Sequence, residues 1–220
     1  MGRTFRLAVD LESPVVLGAQ SFWTLDAVCH GILDDLVRQG RFAGDVIASI
    51  PIDRAGDLFL ASRAYFIGDV VTDFTKIGGI RPVRDADRAE AFLRPYRGSK
   101  LSKIRTSSGN EKAHLTRYRL HAARTIFWLA EGDGARVAAL FGNAGALGAR
   151  RMEGYGRIAS IRWEPSEESP LLDRNNAVRR PIPAEMAGMF GVEPCSPQGV
   201  DTWMPPYWER ERQAVCFLPT

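Results

Sequence analysis

The fold is decided by residues 124–163, which read RTIFWLAEGDGARVAALFGNAGALGARRMEGYGRIASIRW. The apolar run Arg124–Ala130 predicts a buried strand, and Gly134–Phe141 predicts a short helix. The glycine-rich segment Leu147–Gly156, here called the glycine loop, then leads into Arg157–Trp163, whose alternation of apolar and polar residues predicts a second strand. This stretch therefore reads as one β-α-β unit with a glycine-rich connection before its last strand.

The glycine loop is the first candidate binding site. Glycine allows positive φ angles and a close approach of the backbone to a ligand, and arginine offers a planar fork suited to phosphate oxygens. Its candidate contact residues are Arg150, Arg151, Gly154, Tyr155 and Gly156. The alternative is a plain connection between a helix and a strand, with both arginines in water. A dinucleotide site is disfavoured, because the glycines of such a site follow a strand and open a helix, whereas here a predicted helix precedes the glycines and a predicted strand follows them.

The N-terminal half predicts a second unit of the same kind. Apolar residues alternate from Phe5 to Leu11, which is the pattern of a half-buried strand. Thr24 can cap a helix that closes at Gly40. Residues Asp57–Tyr65 predict a further strand, with Val46–Ile52 as a weaker candidate before it. The apolar stripe of the predicted helix consists of Leu25, Val28, Cys29, Ile32, Leu33 and Leu36.

In order, these elements give β-α-β, a long excursion, and β-α-β again. This order predicts an α+β protein with a ferredoxin-like (RRM-like) βαββαβ core. We expect the core to span residues 1–164, including an inserted basic arm at about 67–121. Residues 165–220, rich in proline and aromatic residues, are predicted to be a C-terminal extension packed on that core.

Charge is unevenly distributed along the chain. The 220 residues are 45% hydrophobic and 25% charged, which is typical of a globular protein. The net charge is +3, but residues 97–121 carry +6, so that the remainder is mildly acidic. Such a concentration of positive charge is expected where a protein meets a polyanion, although basic segments also occur on purely solvated surfaces.

The basic arm mixes cations with aromatic side chains, among them Tyr118. Cations contact phosphates, while aromatic and histidine rings stack on unpaired bases. Single-stranded nucleic acid is therefore the predicted partner of the arm. Its candidate contact residues are Lys100, Lys103, Arg105, Lys112, Arg117, Arg119 and His121.

No catalytic, metal or cofactor site is predicted. The three cysteines lie far apart, without metal-ligand spacing, and no phosphate-binding GxxxxGK[ST] motif is present. His30 lies within reach of Asp34 on the predicted helix, which suggests a surface pair. With no apolar run long enough to span a bilayer and no leader pattern, we expect a cytoplasmic protein that does not contact membranes.

Three segments resemble the RAMP superfamily of CRISPR-associated proteins. Phe22–Val28 is similar to the start of the first helix in many members, and Gly148–Gly156 resembles the superfamily's glycine-rich loop. The tail segments Arg180–Pro183 and Pro205–Trp208 are most similar to the small type IV subunit that caps the five-prime end of the guide RNA. The resemblance covers most of the chain.

The resemblance implies a non-catalytic subunit of a guide-RNA ribonucleoprotein that serves defence against foreign nucleic acid. Its implied partners are the five-prime handle of the crRNA and other effector subunits, chiefly the backbone and large subunits, with target DNA as a further candidate. The matching positions are Arg150, Arg151, Gly154, Tyr155 and Gly156, and more loosely the basic arm.

Two alternatives remain open from the sequence. The first is a metal-independent endoribonuclease that processes precursor crRNA, with His30 or His121 as its base. The second is a protein-interaction module that uses the proline- and tryptophan-containing tail.

Overall fold

The computed structural model describes residues 3–17, 22–78, 114–193 and 196–219. The chain divides into two compact units, one formed by Met1–Val71 with His121–Thr220 and the other by Thr72–Leu120. In the part of the chain described, no helix is long and apolar enough to cross a membrane.

Strands and helices occur in the following order within these ranges. The strands are β1 (Arg3–Leu11), β2 (Val15–Leu17), β3 (Arg54–Ala55), β4 (Leu58–Phe59), β5 (Tyr65–Ile67), β6 (Val71–Gly78), β7 (His114–His121), β8 (Thr125–Gly132), β9 (Ile158–Pro165), β10 (Ile182–Pro183), β11 (Gln198–Thr202) and β12 (Gln213–Phe217). The α-helices are α1 (Leu25–Arg38), α2 (Gly134–Gly142) and the short α3 (Ala187–Phe190).

The main sheet has the strand order β5-β8-β1-β9, and its paired strands are antiparallel. Helix α1 follows β1, and α2 lies between β8 and β9. These four strands and two helices are the βαββαβ core, with the first strand at the centre between the third and the fourth. The predicted ferredoxin-like α+β fold is therefore confirmed.

The core forms where the buried side chains of β1 pack against the apolar stripe of α1. Phe5, Leu7 and Val9 point to one side of the sheet and are buried, because successive side chains of a strand face opposite ways. Every residue of the predicted helical stripe is buried against them. The Trp128 ring lies at the centre, edge-on to Trp23 at 5.5 Å and to Phe141 at 5.7 Å.

Two predicted strands are wrong. Asp57–Tyr65 is not continuous, because Gly56 takes a φ of +60° and turns the chain into the short β3-β4 hairpin; the next strand begins only at Tyr65. Val46–Ile52 begins as a turn, since the Asp45 carboxylate accepts hydrogen bonds from the amides of Ile47 and Ala48. A side chain that bonds to nearby amides competes with strand pairing.

The second unit contains two described strands, β6 and β7, which are hydrogen-bonded neighbours. The ends of the predicted arm are therefore regular β-structure, although its sequence shows little periodicity. Residues 79–113 lie outside the described part of the chain.

The C-terminal residues form a small sheet in the order β10-β12-β11. A second apolar cluster accompanies this sheet and includes Leu58 of β4. Its other buried members are Leu171, Val178, Ile182, Ala187, Val192 and Phe217.

Candidate nucleic-acid interface

The glycine loop is fastened at its base to the turn between β1 and β2. The Leu147 amide donates to the Gly156 carbonyl at 2.8 Å, which closes the loop on itself. The Ala149 amide donates to Val16, and the Gly156 amide donates to Pro14. A short 3₁₀ turn, Arg151–Glu153, forms the tip. These hydrogen bonds fix the two ends of the loop, and the tip projects beyond them.

Gly148, Gly154 and Gly156 all take the positive φ angles expected of the loop, and two of them also lie against the protein's own backbone. A Cβ on Gly156 would lie 1.9 Å from the Leu147 carbonyl oxygen, and one on Gly148 would lie 2.6 Å from the Val16 carbonyl oxygen. These two glycines permit close contact with the protein's own backbone. Gly154 has a φ of +91°, and a Cβ there would meet nothing within 4 Å, so within the protein this glycine is required by the turn and not by close packing.

Both loop arginines have carboxylate partners. Arg150, itself in the left-handed region with a φ of 60°, donates to Glu153 at 2.5 Å. Arg151 pairs with Asp35 of α1, also at 2.5 Å, and keeps 40% of its side chain exposed. Both pairs are half-exposed, and ion pairs in contact with water contribute at most about 1 kcal/mol. A phosphate that offers the same fork geometry can therefore replace the carboxylates.

The predicted arm residues divide between described and undescribed parts. Lys100, Lys103, Arg105 and Lys112 lie outside the described residues. Arg117 and Arg119 both lie on β7, two residues apart and exposed. Residues at this spacing project from the same face of a strand, so the two guanidinium groups stand on one side, together with Leu115, which is 59% exposed.

His121, the last residue of β7, belongs to the first unit and is held there by two neighbours. Its Nδ1 lies 2.7 Å from the Asp69 carboxylate, and its ring stacks on Phe66 at 4.7 Å. Only 14% of its side chain is exposed. In contrast to Arg117 and Arg119, His121 therefore offers little surface to a ligand.

His30 is buried, which overturns the predicted surface pair with Asp34. Only 7% of the residue is exposed, and its ring meets the Trp208 ring edge-on at 5.3 Å. Burial lowers the pKa of His30 below its ordinary value, against the opposing effect of Asp34 and Asp26. The prediction failed because Trp208, far away in the sequence, covers this flank of the helix.

A buried polar cluster that the sequence did not predict lies beside His30. Arg180 and Asp26 are both fully buried, and they pair at 3.1 Å. Arg180 also donates to the carbonyl oxygens of Phe59 and Trp203, both at 2.6 Å. Burial alone would lower the pKa of Arg180, but the Asp26 carboxylate raises it above its ordinary value.

Tyr207 completes this cluster. Its hydroxyl donates to Asp26 at 2.5 Å and lies 2.9 Å from the hydroxyl of Thr24. Burial, together with the neighbouring Asp26 charge, raises the pKa of Tyr207. Thr24 precedes the first residue of α1 as predicted, but its side chain makes no capping bond to the helix.

The cluster joins three segments singled out in the sequence: Phe22–Val28, Arg180–Pro183 and Pro205–Trp208. Its central pair is separated by 154 positions in the chain. The one local signal is a carboxylate in the second position of an otherwise apolar helix start. A carboxylate at that position suggests a cationic partner, but it does not say which residue the partner is. Among the described residues, no group of three metal-binding side chains comes together.

Residues 82–219 match the model of a protein family described as CRISPR type IV associated protein Csf3. The match covers more than half of the chain and includes β8, the glycine loop and the buried Arg180. No curated protein matches the chain.

Proposed function

Because the chain belongs to the family of CRISPR type IV associated protein Csf3, we propose that it is a non-catalytic, RNA-binding subunit of a type IV guide-RNA complex. In this proposal the protein has the RAMP role implied by its glycine loop: it caps the five-prime handle of the crRNA. The other effector subunits, chiefly the backbone and large subunits, are its protein partners.

The observation that carries the proposal is the pair of exposed arginines on β7. Arg117 and Arg119 share one face of an extended strand, about 6.6–6.8 Å apart along it. Regularly spaced cations on an extended element suit the regularly spaced phosphates of a single strand. Leu115 adds an apolar contact surface on the same face.

The glycine loop supplies a second point of contact. Arg150 and Arg151 are held at the loop tip by half-exposed carboxylates, and RNA phosphates can take the place of those carboxylates. The fixed base of the loop keeps the ordering cost of this exchange low, since only the arginine side chains need to move.

Salt dependence of RNA binding tests the proposal. Each phosphate contact with a single strand contributes a slope of about −0.7 to a plot of log affinity against log salt. Replacing Arg117 and Arg119 together with alanine should make the slope shallower by about 1.4. The measurement is fluorescence anisotropy of a labelled single-stranded crRNA repeat in increasing sodium chloride.

The matched control replaces Arg136 and Arg174, two exposed arginines of the first unit, with alanine. This variant has the same net charge as the test variant and should keep the wild-type slope. A wild-type protein that binds without a measurable slope would contradict the proposal. Handle capping is tested separately: crRNA that lacks its five-prime handle should no longer retain this subunit in the purified complex.

One observation favours the endoribonuclease alternative. The Asp69 carboxylate lies 2.7 Å from His121 Nδ1, and a carboxylate that orients an imidazole is a familiar arrangement for a general base. Incubating precursor crRNA with the protein in EDTA tests this function. Cleavage that is lost in His121→Ala but kept in His30→Ala would replace the non-catalytic proposal, whereas intact RNA at saturating protein would exclude the enzyme.

A further inference from the structure

A cavity of about 380 Å³ opens between helix α1 and the glycine loop. Its apolar walls include Trp23, Ile32 and Leu147. The volume is at the lower end of the range typical of sites for small organic ligands. An aromatic wall beside aliphatic side chains suits a flat, largely apolar group such as a nucleobase.

Gly31 is exposed at the edge of the cavity and adds no side chain to it. It lies in the middle of α1 and lines the cavity, and a Cβ built there would meet nothing within 4 Å. Its neighbour one turn earlier, Ala27, also lines the cavity with a small side chain. Glycine is a poor helix former, and no close packing requires it at this position. Space for a ligand is a physical reason for its presence.

The rim of the cavity carries charges of both signs. Asp34 pairs with Arg38, and Asp35 pairs with Arg151 of the glycine loop. The guanidinium groups suit a phosphate, and the carboxylates can accept hydrogen bonds from the N–H groups of a base edge. Two carboxylates beside the cations disfavour a simple anion such as free phosphate.

We propose that this cavity binds one unstacked nucleotide of the guide RNA. The base lies between Trp23 and Gly31, and the phosphate is held by Arg151 at the loop. The inference rests on the proposed RNA-binding function and gives it a defined subsite. It also gives the glycine loop a second role, since the loop forms one wall of the cavity.

The test combines protein variants that fill the cavity with RNAs that each lack a single base. Gly31→Leu places a side chain in the empty space and improves helix propensity, and Gly31→Ala is the matched control that leaves most of the space open. The probe is a fluorescently labelled single-stranded crRNA repeat, prepared intact and as a series with one abasic position each. Affinity is measured by fluorescence anisotropy.

Wild type and Gly31→Ala should lose about tenfold in affinity at one abasic position, the order expected for one stacked base. Gly31→Leu should bind intact RNA about tenfold more weakly and show no further loss at that position. If Gly31→Leu and wild type both bind RNA and lose the same affinity at every abasic position, the proposed base site in the cavity is wrong, but the RNA-binding function stands. Failure of the wild type to bind any RNA of the series would overturn both.

Thermal unfolding provides the check on folding. Gly31→Leu should unfold at the wild-type temperature or above. Ala27→Leu, one turn away on the same face of α1, fills the cavity from a second position. Removal of the sensitive base should not weaken binding to this variant any further. If the missing base still weakens binding in both filled variants, the proposal is wrong.

Discussion

Replacing Arg180 with methionine should lower the free energy of unfolding by about 3–5 kcal/mol, because it leaves the fully buried Asp26 without its cation. Two further acceptors, the carbonyl oxygens of Phe59 and Trp203, lose a charged donor at 2.6 Å. The Tyr207 hydroxyl still donates to Asp26, so the loss should stay near this range. It is a large fraction of the roughly 5–15 kcal/mol that stabilises a typical domain.

The assay is equilibrium unfolding in urea, followed by tryptophan fluorescence and by circular dichroism. The informative comparison is a double-mutant cycle with Asp26→Leu. Since both single variants leave one buried charge unpaired, the double variant Asp26→Leu/Arg180→Met should be more stable than the sum of the two losses predicts. Exposed Arg174, replaced with methionine, is the control and should change stability little.

A loss below about 1 kcal/mol for Arg180→Met would refute this reasoning, because it lies in the range of exposed ion pairs. Additive losses in the cycle would also refute it, since they would mean that the two side chains do not interact.

Three further predictions concern single residues. Tyr207→Phe should destabilise the protein by about 1.5–3 kcal/mol, the usual contribution of a hydrogen bond to a charged group, as measured by urea unfolding. Gly156→Ala should unfold at a distinctly lower temperature than Gly154→Ala, because a Cβ meets the Leu147 carbonyl oxygen at the first position and open space at the second; equal melting temperatures would contradict this. Because burial lowers the pKa of His30 in the folded protein, its contribution to stability is present above the unfolded-state pKa of about 6.5 and is lost as the pH falls below that value. His30→Gln should therefore flatten the stability–pH profile between about pH 7 and 5, and an unchanged profile would show that His30 is not responsible.

Local periodicity was sufficient to predict three of the four strands of the main sheet, β1, β8 and β9, and both core helices. The alternation of β1 and the stripe of α1 depend on side chains a few positions apart, and both predictions are confirmed. The prediction of a strand at Asp57–Tyr65 failed because of a local backbone turn. Gly56 turns the chain just before this segment, and such a turn is not visible in the alternation of apolar residues.

The surroundings of α1 could not be predicted, because they depend on distant residues. His30 was expected in water and is covered by Trp208, and Asp26 is neutralised by Arg180. The sequence indicates which residue types are present, but it does not say which of many carboxylates and cations meet. The same limit applies to Arg151, whose partner Asp35 lies on another element.

Helix α1 connects the buried cluster with the cavity because its faces meet different partners. One face packs in the core, a second holds Asp26 and His30 against the tail, and a third presents Ala27 and Gly31 to the cavity. We expect Arg180, which does not line the cavity, to affect the proposed base site only through the position of α1: in Arg180→Met, the loss of affinity at the sensitive abasic position, measured by fluorescence anisotropy, should be smaller than in the wild type.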